Sequence, residues 1–217
     1  MFEMYFRILN REDSGELTYL LADSTARQAV LIDPHERDLP LLSALLAERE
    51  LQLRWVLRTH HHDGAQQSEA RIVQTLGGAL VQGDRAGFVL DEIDGTVLTF
   101  GDEVVRVIRT PGHTSHCLSF AWRDRLFCGG LLAVNDCPRQ RQPQEPETLW
   151  ESVTRKVFTL PDETLLFPGY ARSGRAVTTV LEQRHWHPFF ATLTRDEFLT
   201  QMRAPAEVGP HEPVFEE

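Results

Sequence analysis

The sequence predicts an α/β protein in which two sheets pack face to face and helices cover the outside. Short apolar runs separated by polar turns fill most of the chain. A run of strands followed by a helix occurs twice, the order expected of layered α/β architecture. No linker-like segment interrupts the middle, so residues 1–203 are expected to form a single domain. With 41% hydrophobic and 25% charged residues the 217-residue chain has the make-up of a folded protein rather than a disordered one. A chain of this length can bury about 70% of its unfolded surface without disulfide staples.

The elements follow in order. Residues 6–9, 17–22 and 29–32 are short apolar strands, divided by the polar turns 11–15 and 23–27. Residues 40–49 read as a helix, with Pro40 in its first turn and Leu41, Leu42, Leu45 and Leu46 on one face. A strand over 53–58 ends in the polar run Thr59, His60, His61, His62, Asp63, Gly64, followed by a helix over 67–76 and a short strand over 79–82. Strands 97–100 and 104–109 flank a Gly101-Asp102 turn, a good hairpin signal. Thr110, Pro111, Gly112 and His113 end the second of them. Residues 117–122 and 125–128 form another hairpin, 135–147 a long loop rich in Pro, Gln and Arg, and 147–158 a helix. A strand over 164–167 precedes Pro168, Gly169 and Tyr170, and helices fit 176–184 and 194–202. Residues 204–217, with three prolines, a glycine and four glutamates, read as a loosely ordered acidic tail.

Composition narrows the partners. Lys plus Arg is 22 and Asp plus Glu is 32, a formal charge of −10, which argues against nucleic acid, whose binding needs a basic footprint. No apolar run approaches the roughly 18 residues that cross a bilayer, so no membrane role is expected. The first ten residues mix Glu3 and Arg7 with apolar side chains and lack a signal-peptide pattern. Three cysteines (Cys117, Cys128, Cys137) cannot all pair within one chain and lack CxxC spacing; reduced thiols and a cytoplasmic location are expected.

Nine histidines stand out, and their placement carries the functional argument. In an extended segment alternate side chains face the same way, so His60 and His62 can enter one site while His61 points elsewhere. Two imidazoles make half of a metal site suited to zinc, iron, copper or nickel. His113, also directly after a strand, is the candidate third ligand. His116 and Asp63 are the candidates for further ligands. A triple histidine alone reads more readily as a solvated loop; the Thr-Pro-Gly-His turn reverses that balance.

These residues carry a resemblance. Leu20-Leu21-Ala22-Asp23, Ala29-Val30-Leu31-Ile32-Asp33-Pro34 and Thr110-Pro111-Gly112-His113-Thr114 resemble segments of the metallo-β-lactamase superfamily, in its persulfide dioxygenase branch, a sister of glyoxalase II. Cys117 has a counterpart there. Leu149 to Val153, Phe158 to Pro161, Pro168-Gly169, Gly174-Arg175 and Val177 to Val180 fit later segments, so the likeness runs from Phe6 to about Met202. It implies an αββα metallo-β-lactamase-fold sandwich with a metal site at one edge of the two sheets.

Carried over position by position, the family's T-H-x-H-x-D-H motif keeps Thr59, His60 and His62, while its Asp falls on Gly64 and its next His on Ala65. The distal histidine is His113. The bridging aspartate falls on Gly130, and the late histidine of the family's Pro-Gly-His turn falls on Tyr170. The three histidines of one metal position therefore persist, while the other position and the bridge are lost. That pattern argues against a dinuclear zinc hydrolase. The resemblance implies a mononuclear iron(II) centre whose usual ligands are two histidines and the bridging Asp. Here His62 replaces the third, exchanging an anionic ligand for a neutral one. Restoring Asp at Gly130 is expected to raise iron affinity.

Three readings follow. In the first, His60, His62 and His113 hold one divalent metal, iron(II) before zinc, and the protein acts on a small-molecule thiol or persulfide of the glutathione type. Arg139 and Cys137 match the family's arginine and cysteine in the loop after Gly130, though Asp136 and Pro138 depart from its pattern. Arg139 pairs a substrate carboxylate or is simply solvated; Tyr170 donates a hydrogen bond to a bound ligand or fills space. In the second, a pseudoenzyme keeps the fold as a binding or regulatory protein in sulfur metabolism. In the third, three histidines hold a zinc-bound water, but no carboxylate is evident to take its proton. Homodimers are the assembly the resemblance implies. His185 and His187 read as packing or capping residues, His35 as exposed, and Cys128 as a small buried apolar group.

Overall fold

The structure is a computed structural model and describes residues 4–61, 66–83, 94–135, 137, 139–140, 142–171 and 174–204. The triplet's His62, with Asp63, Gly64 and Ala65, lies outside the described residues, as do Asp136, Pro138 and residues 205–217 of the expected tail.

Among the described residues eleven strands make two sheets. The first orders β1 (Met4–Asn10), β2 (Leu17–Asp23), β3 (Gln28–Ile32), β4 (Gln52–Leu57) and β5 (Ala79–Val81) in sequence. Its first three strands meander antiparallel, and β3, β4 and β5 run parallel. The second sheet comprises β6 (Val97–Phe100), β7 (Glu103–Arg109), β8 (Leu118–Trp122), β9 (Arg125–Gly129), β10 (Leu165–Pro168) and β11 (Thr178–Thr179), also in chain order from edge to edge. Here only β9 and β10 are parallel. Parallel neighbours need a crossover, and helices supply it. The crossovers are α1 (Leu39–Glu48), α2 (Gln66–Leu76) and α3 (Pro146–Glu151, continued by a π-helical stretch Ser152–Val157); α4 (Val180–Trp186) and α5 (Arg195–Arg203) follow the last strand.

Alternation along the strands builds the layers. Every residue of β2 is buried. Leu17, Tyr19 and Leu21 face the second sheet, meeting Val107, Phe120, Trp122, Phe127 and Phe167. Leu20 and Ala22 point the other way, onto Leu42 and Leu46 of α1 and Ile72 of α2. The second sheet repeats this: Leu126, Cys128 and Leu166 turn outward to Leu149, Val153, Val180 and Phe198. A strand buried on both faces reads as a continuous apolar run, as β2 does. The result is an αββα sandwich.

The expected strands and helices agree with the observed ones to within a residue or two, with one correction. Residues 176–184 do not form one helix. Thr178 and Thr179 pair with Leu166 and Leu165 as β11, and α4 starts only at Val180. The β-branched pair favours the sheet, and the Thr179 hydroxyl accepts from the Glu182 backbone N–H as N-cap.

At the edge far from the strand ends that matter for function, Asp23 ties the sheets together. Its carboxylate accepts backbone N–H bonds from Thr25 and Ala26 in its own turn and from Asp102 in the β6–β7 turn, all at 2.9 Å. Those bonds hold its pKa below the ordinary carboxylate value. The stability it contributes is present above that ordinary value and lost as pH falls through the lowered one. Asp23→Ala is expected to destabilise the fold by roughly 1–3 kcal/mol and to flatten the acid limb of stability against pH. Urea unfolding of both proteins across acid and neutral pH checks this.

Candidate metal centre

At the opposite edge the carboxyl ends of β4, β7, β9 and β10 meet, the place where open α/β sheets present their binding crevices. Backbone bonds sew the two sheets together there. The Leu118 N–H donates to the Thr59 carbonyl at 2.7 Å and the Leu17 N–H to the Gly169 carbonyl at 2.9 Å, while within the second sheet the Gly169 N–H donates to the Gly129 carbonyl at 2.8 Å. Gly129 has φ +54, and a Cβ there would lie 2.2 Å from the Thr59 hydroxyl. Only glycine lets β9 come this close to the end of β4.

Asp33 anchors the site. It follows β3 at φ +51, a conformation Asp tolerates better than most residues. Its carboxylate accepts from the Thr59 N–H at 2.8 Å and the Thr59 hydroxyl at 2.6 Å. Burial pushes its pKa up, opposed by Arg58 and by the Thr59 bonds. With its proton given to Asp33, the Thr59 hydroxyl accepts from His60 Nδ1 at 2.9 Å. Nδ1 therefore carries the imidazole proton, and the Nε2 lone pair faces inward. Ligating histidines are oriented by such outer partners. The Tyr170 hydroxyl meets Nε2 at 3.0 Å, and Cys137 Sγ donates to the same hydroxyl at 3.4 Å. Burial first, then the Cys137 contact, raises the Tyr170 pKa, so it remains a neutral donor.

His113, buried in the turn after β7, packs edge-on to His60 with ring centroids 5.1 Å apart. The ligand atoms of His60, His113 and Cys137 lie within 4.8 Å of one another, and among the described residues this is the only such group of three. Two imidazoles and a thiol are a donor set that suits zinc, copper or iron, so these residues fit a metal ion. His61 and His116 stack against each other, centroids 6.0 Å apart, and are not part of that group.

A cavity of about 180 Å³ opens beside this cluster, lined by His60, Tyr170, Glu16, Asp33, Glu69 and Arg139 among others. Arg139 sits at its mouth, half-exposed, with Nε 3.8 Å from Glu16. Two expectations need correction. His35 is not exposed; it lines the cavity 3.7 Å from Glu16, and burial lowers its pKa. Carboxylates are also not absent. Each is committed elsewhere: Asp33 to Thr59, Glu69 to Arg58 at 3.6 Å, and Glu16 to Ser14, Arg11 and Arg139. Sequence reading missed Glu16, Arg58 and Glu69 because their pairing is long-range; a buried acid on the amphipathic helix α2 was the available signal. It also left Cys137 out of the ligand set. His187 is buried and caps its own loop, accepting from Phe189 N–H at 3.2 Å. Cys128 is fully packed, and burial pushes its thiol up to about 12.

The backbone at Gly130 bears on the lost aspartate. A Cβ there would lie 2.4 Å from Cδ2 and 2.7 Å from Nε2 of the buried His113 ring. The position cannot regain a side chain while His113 stays in place. Contrary to the expectation from sequence, Gly130→Asp is predicted to lower metal retention rather than raise it. Metal content of the purified variant, measured beside the parent, checks the direction.

No protein-family model matches the chain. The human mitochondrial persulfide dioxygenase ETHE1 is 33% identical over 197 residues, covering 87% of this chain and 76% of that protein. The crystal structure of ETHE1 from Myxococcus xanthus superposes with a TM-score of 0.80 at 34% identity, covering 92% and 90% of the two chains. A metallo-β-lactamase from Staphylococcus aureus superposes with a TM-score of 0.78 at 20% identity, over 97% of this chain and 69% of that one, a likeness of fold.

Proposed function

The chain belongs to the persulfide dioxygenase branch of the metallo-β-lactamase superfamily, and from that premise we propose that it binds one divalent metal, iron(II), at His60 and His113 and acts on a small thiol or persulfide. The observation that carries this is the directed chain Asp33–Thr59–His60, which fixes the tautomer of an imidazole clustered with His113 and Cys137 beside an open cavity. Such fixed tautomers serve metal sites and are superfluous in a solvated loop. His62 keeps its place in this reading as a further ligand from the histidine triplet.

When bound, iron(II) supplies one-electron and O₂ chemistry. The protein's own residues do the rest. Arg139, with its guanidinium at the cavity mouth, pairs with a carboxylate of a glutathione-type substrate. Tyr170 offers its hydroxyl proton to a ligand beside His60. Zinc hydrolysis is the weaker reading, because the cavity carboxylates are engaged by Thr59, Arg58, Arg11 and Arg139 and none is poised to take a proton from water. The second reading, a pseudoenzyme, draws support from the Tyr170 hydroxyl, which occupies the Nε2 face of His60.

No helix among the described residues is long and apolar enough to cross a membrane. The three cysteines are free and buried, which suits a thiol-reducing compartment such as the cytoplasm. Tag-free protein is expected to carry about one iron per chain, lost in His60→Ala and in His113→Ala, and to consume O₂ with glutathione persulfide. Iron without O₂ uptake would favour the pseudoenzyme. Protein that holds no metal after reconstitution would sink the metalloprotein reading altogether.

A further inference from the structure

We propose that Cys137 is a ligand of the metal, so that the centre is a two-histidine, one-thiolate site in which a thiolate takes over from the family's missing carboxylate. This rests on the metal reading above and names a residue that the family pattern does not assign as a ligand.

Three independent observations converge on it. The first is placement. After β9 the chain folds back through successive turns, with Leu131 N–H donating to Cys128, Ala133 N–H to Gly130 and Cys137 N–H to Ala133. Asn135 takes φ +66, which Asn tolerates, and completes the reversal. The thiol arrives with no exposed surface, packed between Ala133 and Tyr170. Its Sγ and the ligand nitrogens of His60 and His113 lie within 4.8 Å of one another. Ligands at about 2.0–2.3 Å from a tetrahedral ion stand about 3.5 Å apart. The set closes onto an ion by small side-chain rotations.

The second observation is space. Gly130, where the bridging aspartate would stand, faces the His113 ring so closely that no Cβ fits. With the His113 ring in this place a side chain from that position has no room, and the group reaching the two histidines from the following turn is Cys137.

The third is charge. Two neutral imidazoles and a carboxylate give a divalent ion one negative ligand. Replacing the carboxylate by His62 alone removes that charge. Coordination by Cys137 restores it, because the thiol releases its proton on binding: Cys137–SH plus the divalent ion gives the metal thiolate and one proton. The Tyr170 hydroxyl, which accepts from the thiol in the metal-free arrangement, then donates to the thiolate sulfur. The replacement makes the site softer, favouring zinc, copper(I) and iron over magnesium or calcium.

The test uses cobalt(II) added to the full-length, metal-free chain. The expected result is binding of cobalt together with the intense near-ultraviolet absorption of a thiolate-to-cobalt charge transfer. Cys137→Ser should abolish that absorption and weaken cobalt binding by about tenfold or more. Cys117→Ser and Cys128→Ser should retain it. Absorption in the unaltered protein is a readout that needs no variant, and thermal melting of Cys137→Ser shows whether it remains folded. Cobalt bound in a manner that depends on His60 and His113, but with no thiolate absorption or with absorption that survives Cys137→Ser, overturns this proposal and leaves the metal reading standing. No cobalt binding at all overturns both.

Discussion

The Thr59 hydroxyl, held between a buried carboxylate and an imidazole, is the contact on which the rest of the centre depends. It donates to Asp33 and accepts from His60, so one oxygen fixes a tautomer and a ring orientation, while the backbone carbonyl of the same residue joins the two sheets. Losing it would leave the buried Asp33 short of a donor, a cost of roughly 1–3 kcal/mol. The fold protects the contact from every side. Gly129 clears the room, the Leu118 N–H pins the Thr59 carbonyl, and Arg58 and Glu69 fill the neighbouring volume as an ion pair. A strand end that supplies both a sheet-to-sheet bond and a site residue is rigid, and rigid elements hold sites more accurately than loops do.

The fold was largely legible because its signals are local. Apolar runs such as 17–22 and 29–32 mark strands buried on both faces, and the Gly101-Asp102 turn marks the β6–β7 hairpin. The exception, residues 176–184, shows where local reading fails. A helix-like pattern there yields to pairing of Thr178 and Thr179 with β10, a partner that lies ten or more residues away in the chain. The site was legible only in part. His60 and His113 follow strand ends and are conspicuous, and the structure brings their rings together. Cys137 sits in a loop rich in Pro, Gln and Arg whose path depends on turns that sequence does not specify. The engagement of Glu16 by Arg139, far away in the chain, is equally invisible before folding.

Site and architecture draw on separate residues. Gly130 and Tyr170 lie just beyond strand ends, while the layers between the sheets rest on Tyr19, Phe120, Trp122, Phe127 and Phe167. Function sits on the rim and stability in the sandwich. Gly130 and Tyr170 belong to the rim: one lets His113 fill the space of an absent side chain, the other covers His60 from above. With an overall negative charge, the chain would have to attract an anionic substrate of the kind proposed through local cations such as Arg139, which lines the cavity.

One metal ion is expected between His60 and His113 at the rim of the sandwich. Anomalous diffraction from crystals of the metal-loaded protein, collected at the absorption edge of the bound metal, tests it most directly. The account predicts a single anomalous peak within bonding distance of both imidazoles. Metal-replete crystals whose anomalous signal lies elsewhere, or that show two peaks in the crevice, would contradict it.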